Sequence, residues 1–128
     1  MIEKQTTKFD LEERLIEYAS RCIKLAEALP KAVAPKHLGG QMIRSGTAPA
    51  LNYGEAQAAE SRADFIHKMK ICLKELRETL VTIKIIKKCN FLPTQRLEPL
   101  MTENNELISI FVKSIETEIG RASCRERV

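Results

Sequence analysis

Apolar positions recur at helical spacing in three stretches of the chain and, more weakly, in a fourth. The strongest pattern begins near Arg62. Phe65, Met69, Cys72, Leu76, Leu80 and Ile83 follow at intervals of 4, 3, 4, 4 and 3, which holds them on one stripe of an α-helix. Ser61 precedes the stripe and Asp64 stands three residues on, an arrangement that satisfies the free N–H groups of a first turn. Asn90 suits the left-handed position that ends such a helix. The pattern predicts a long helix over about 62–89. An earlier stretch, 9–29, carries Leu11, Leu15, Tyr18, Cys22, Leu25 and Leu29 at 4, 3, 4, 3 and 4, and Pro30 stops it. A last stretch runs from Thr94 or Gln95 to Thr117 with Leu97, Leu100, Met101, Leu107, Ile108, Phe111 and Ile115 inward. Pro99 lies in its first turns, where the helix could equally begin.

The weaker stretch starts near Pro35 and carries Leu38, Met42, Ser45, Asn52 and Ala56. Gly39, Gly40 and Gly46 each lower its helicity by roughly 1 kcal/mol relative to Ala. Close approach of a neighbouring helix would offset that. Pro49 removes a backbone hydrogen bond, a cost of about 3 kcal/mol unless the chain adapts, and because the pattern resumes at Asn52 a kinked helix is expected. Four helices joined by short connections predict an all-α, antiparallel up-down-up-down four-helix bundle, one domain over residues 1–117.

Composition narrows the setting. No window approaches the roughly 18 consecutive apolar residues of a membrane span, and the first ten residues hold no apolar run of a secretory leader. Four cysteines without paired spacing fit a reduced, cytoplasmic protein. Residues 118–128 stand apart. GRASCRERV, with the preceding Ile119 and the end of the Glu118 codon, reads as a translated sequencing-library adapter, and no function is assigned to it. A genuine basic tail is the alternative. Setting it aside removes Cys124. It also removes Arg121, Arg125 and Arg127 against Glu118 and Glu126, which takes one charge from a net +4.

The usual catalytic groups are missing from the pattern. His37 sits at a helix start and His67 lies off its helix's stripe, so both read as surface residues. No C-x-x-C, H-E-x-x-H or E-x-x-H spacing occurs, so no metal site is expected. Cys22 and Cys72 lie on inward stripes, and Cys89, at a helix end, is the thiol best placed to react. The chain reads as a non-enzymatic protein without a cofactor.

Charge says more. Residues 62–88 hold eight basic residues against three acids. With Met69 at 0°, Lys70, Lys74, Arg77, Lys84 and Lys88 fall between about 60° and 140°, while Glu75 and Glu78 fall near 240° and 180°. Such a row beside the core seam is the footprint of a phosphate backbone, with Arg44 a further contributor. A solvated face is the alternative. Ile71, Ile85 and Val81, near about 200°, 160° and 120°, add apolar surface away from the seam. They read as a contact with another subunit, or else as scattered exposed residues. A polar line, Gln41, Arg44, Ser45, Asn52 and Glu55, reads first as a hydrogen-bond network that fixes helix register, in which Ser, Asn and Glu satisfy one another, and second as a ligand or RNA surface.

The run RSGTAPALNYGEAQAAESRADFIHKMKICLKELRETL carries a resemblance. Leu38, Gln41, Arg44-Ser45, Asn52 and Glu55, then Ser61, Asp64-Phe65 and Leu73-Lys74-Glu75-Leu76 with Glu78-Thr79-Leu80, resemble the small proteins encoded in intervening sequences of bacterial 23S ribosomal RNA genes. These are also labelled S23 ribosomal proteins. The likeness covers nearly all of residues 9–117. Pro49 stands where many members have an apolar or small residue, and Asn52-Tyr53-Gly54-Glu55-Ala56 departs from the usual Ala-Glu-Gly after the Asn. The resemblance implies a four-helix bundle that assembles into a homopentameric ring. It is similar to the accessory protein of diversity-generating retroelements, a basic pentameric barrel that binds RNA and a reverse transcriptase. The name "ribosomal protein" reflects gene location and implies no place in the ribosome.

Overall fold

The computed structural model of the protein describes residues 8–127, with side-chain surroundings for residues 10–121. Four helices follow in order: α1 (Lys8–Glu27), α2 (Val33–Gln57), α3 (Arg62–Lys88) and α4 (Thr94–Arg127). No strand occurs among the described residues. Each helix packs on the next, and α1 meets α4 to close an all-α four-helix bundle.

The first helix behaves as its spacing predicts. Leu11, Leu15, Tyr18, Cys22, Leu25 and Leu29 are all buried. Its last turn tightens through Ala28 N–H to Leu25 O at 3.1 Å and Leu29 N–H to Ala26 O at 3.2 Å before Pro30. The third helix begins on Ser61, whose hydroxyl accepts from Asp64 N–H at 3.0 Å. It ends at Asn90, which takes φ 59°.

The second helix continues past Pro49, as the return of its pattern at Asn52 predicts. It runs unbroken through Pro49, which lies buried inside it. Ser45, Thr47 and Asn52 each donate to the carbonyl four residues back, at 2.9, 2.8 and 3.0 Å. The Cys72 thiol approaches the Pro49 carbonyl at 3.5 Å. Burial of Pro49 beside Ser45, Gly46 and Tyr53 outweighs one lost backbone bond, so packing overrides propensity. Two of the glycines are explained by close approach. A Cβ on Gly46 would stand 2.6 Å from Cys22 Sγ, and one on Gly39 would stand 3.3 Å from Leu29 Cδ1. Gly40 faces open space, and nothing in the fold requires it.

The fourth helix starts at Thr94 with Pro99 in its second turn and continues through the segment 118–127. The side chains of Cys124, Arg125, Glu126 and Arg127 fall outside the described residues. Tyr53 and Phe111 lock α2 to α4 with ring centroids 6.1 Å apart and planes 77° to one another, an edge-to-face pair.

Candidate nucleic-acid interface

The orientation of α3 fixes which of its charges reach solvent. Its buried residues are Met69, Cys72, Glu75, Leu76, Thr79, Thr82, Ile83 and Ile86. Measured from Met69 their arc centres near about 290°, turned toward α2 relative to the apolar stripe read from the sequence. Leu80 and Phe65 are correspondingly only half-buried. The basic row therefore lies on the outermost line of α3, opposite its buried arc and not beside the seam as expected. Lys70, Lys74, Arg77, Lys84 and Lys88 are all exposed.

Pairing sorts the cations of α3. Lys68 meets Glu55 at 2.6 Å, Lys87 meets Glu98 at 3.0 Å and Arg62 meets Glu118 at 3.8 Å. In the row, Lys74 alone has a carboxylate within reach among the described residues, Glu75 at 3.9 Å. Lys70, Lys74 and Arg77 edge a groove of about 480 Å³ between α3 and α4, lined also by Leu73, Val112, Ile115 and Glu116.

Arg44 stands elsewhere. It reaches from α2 to Glu78 at 2.9 Å and Glu75 at 3.3 Å, with Gln41 Oε1 at 3.3 Å. The hydrogen bond from Arg44 holds the Glu78 carboxyl below its usual range. Its charge is thus matched on the α2 side of α3, apart from the row. Glu75 and Glu78 mark the face that α3 turns to α2, not a face away from the bundle.

The remaining polar positions are satisfied mainly across helices. Ser45 is buried and lies 2.7 Å from Thr79 Oγ1, which is also 2.9 Å from the Glu75 carbonyl. Asn52 turns back on its own helix, and Glu55 goes to Lys68. Ser45, Asn52 and Glu55 do not satisfy one another. Sequence reading also missed a polar layer inside the bundle. Tyr18, Ser45, Thr79 and Asn104, one from each helix, are all buried. Asn104 Nδ2 donates to the Tyr18 hydroxyl. Burial raises the Tyr18 phenol and pushes the Cys22 thiol up to about 12. A signal for Asn104 was present, since it fills the 3–4 spacing between Leu100 and Leu107.

The apolar trio divides. Val81 and Ile85 are 55% and 42% exposed. Ile71 is only half-buried rather than free, because the arc near about 200° borders α2. His37 and His67 are exposed, as is Cys89, while Cys22 and Cys72 are buried. No cluster of three His, Cys, Asp or Glu able to hold a metal occurs among the described residues. No described helix is long and apolar enough to cross a membrane.

The class that the fold defines is the all-α four-helix bundle. The particular family follows from comparison. Residues 7–113 match the 23S rRNA-intervening sequence protein family, and the chain belongs to it. The fold is shared with a crystal structure of a protein of unknown function from the S23 ribosomal protein family of Bacteroides thetaiotaomicron VPI-5482. The two are 29% identical, with a TM-score of 0.76 over 81% of this chain and 96% of that one. No curated protein matches the chain.

Proposed function

We propose that the protein is a non-enzymatic, cytoplasmic, oligomeric bundle that binds nucleic acid, RNA above all, through the outer face of α3. The observation that carries this reading is the sorting of cations. Lys68 and Lys87 are paired with acids, whereas Lys70, Arg77, Lys84 and Lys88 meet no carboxylate among the described residues and share one exposed line with Lys74. Unmatched cations at helical spacing favour a phosphate backbone, whose binding releases counterions and is salt-sensitive. The likeness to the retroelement accessory protein favours a homopentamer and makes a reverse transcriptase a candidate partner.

The test is light scattering coupled to size exclusion, with and without a structured RNA, at low and moderate salt. A ring-sized species that takes up RNA at low salt and releases it at higher salt is expected. Reversing Lys70, Lys74 and Arg77 to Glu should abolish uptake without changing particle size. Unchanged uptake by that variant would remove the site.

A second reading, a protein-interaction scaffold without a nucleic-acid role, is favoured by the exposure of Val81 and Ile85. Ile85→Asp should then break the assembly into helical monomers. A particle of unaltered size would exclude that interface.

A further inference from the structure

Three of the exposed cations do not stand on a flat polar surface. Lys70, Lys74 and Arg77 step along α3 with rises of about 6 and 4.5 Å. They edge the groove whose floor is Leu73, Val112 and Ile115, with Glu116 also in its lining. Ile115 is buried, and Leu73 and Val112 are half-buried, so the floor is a continuation of the core brought to the surface. Lys84 and Lys88 extend the cation row beyond the groove, to a length of about 27 Å from Lys70.

The chemistry of this arrangement distinguishes between forms of RNA. A regular duplex turns phosphates and sugars outward and keeps its bases stacked, so it would meet the cations and leave the floor unused. A single strand offers phosphates and unstacked base faces side by side. Cations along one edge with apolar surface next to them match that pair. An acidic amphipathic helix would also cover the floor. A continuing phosphate backbone fits better a cation row that runs well past the groove.

We propose, resting on the nucleic-acid reading above, that the α3–α4 groove takes a single-stranded RNA segment, its phosphates on Lys70, Lys74 and Arg77 and its bases on Leu73, Val112 and Ile115. The Glu116 carboxylate repels the backbone and keeps it to the α3 edge. Lys84 and Lys88 receive phosphates of the flanking strand.

Fluorescence anisotropy on the full chain tests this with labelled oligouridine and a blunt RNA duplex of equal length. The wild type should bind the strand more tightly. Leu73→Gln with Val112→Gln should weaken the strand by several-fold, about the loss of two half-buried apolar contacts, and change the duplex less than about twofold, since the phosphate contacts remain. Leu73→Met with Val112→Ile should restore strand binding. Circular dichroism checks the fold, and Val112→Ser alone serves if the double variant unfolds. Equal binding of strand and duplex, with neither weakened by the floor variants, would overturn the groove assignment while leaving the nucleic-acid reading intact. Absence of binding to either RNA at low salt would overturn both. An acidic helical peptide that displaces oligouridine and is itself weakened by the floor variants would replace the occupant.

Discussion

Toward α2, every charge on α3 is answered. Arg44 closes on Glu75 and Glu78, and Thr79 meets Ser45 in the core. On the outward side the same helix carries Lys70, Arg77, Lys84 and Lys88 without a carboxylate partner among the described residues, and Lys74 with only Glu75 at 3.9 Å. The two sides share one backbone, but the glutamates of α3, Glu75 and Glu78, lie toward α2, and the outward row holds only Lys and Arg. What separates them is pairing. A net charge of +4 says little about which cations are available to a partner, because a cation held by a neighbouring helix is already committed to the fold. On this contrast, changes on the α2 side should move stability, and changes on the outward side should move binding.

The largest stability effect should come from Thr79→Val. The side chain is fully buried and the replacement has nearly its shape. Buried Ser45 loses its hydrogen-bond partner across the helices, a cost of ~2 kcal/mol for a buried group left short of a hydrogen bond. Urea unfolding with an unchanged slope and a lower midpoint is the expected result. An unchanged midpoint would mean that the polar layer does not hold the helices in register.

Acid should act on the same side. The Glu78 carboxyl is held below the usual carboxylate range by the hydrogen bond from Arg44. A depressed carboxyl contributes stability that is present above its unfolded pKa, near about 4.3. That stability is lost as pH falls through the lower folded value. Glu78 is partly exposed, so the contribution is screened. Arg44→Ala should lower the neutral-pH midpoint and flatten its decline on acidification. Parallel acid profiles for the variant and the parent would place the acid sensitivity elsewhere.

Much of this was legible in the sequence, and the part that was not has a common cause. The first helix's seam, the Ser61 cap, the Asn90 terminator and the four-helix order follow from spacing and local chemistry, which the fold leaves undisturbed. That α2 continues past Pro49 was legible in the return of its pattern at Asn52, but what sustains it there was not. It depends on burial against other helices, and the residues that make it possible, Gly46 and Tyr53, carry no local sign of their role. The tilt of α3 toward α2 was hidden for a related reason. Glu75, Thr79 and Thr82 are buried but polar, so an apolar stripe omits them and places the buried face about 40° too far from α2. That error moved the basic row from the outermost line to the edge of the core, and it put Arg44 with cations from which the bundle separates it.

The smallest effect on stability should come from the outward row. Lys84→Ala and Lys88→Ala remove exposed side chains with no ion-pair partner among the described residues, so each should shift stability by no more than ~0.5 kcal/mol in either direction. The sign is informative. Cations three to four residues apart on a helix repel, and here Lys84 and Lys88 stand four apart with Lys87 between them. Lys87 is drawn off to Glu98 at 3.0 Å, which leaves the Lys84–Lys88 pair unrelieved. Removing either one should therefore be neutral or slightly stabilising at low salt, with the gain fading as salt screens the repulsion. A destabilisation beyond that range would mean that these lysines are engaged within the fold, and the contrast between the two sides of α3 would fail at its outward end.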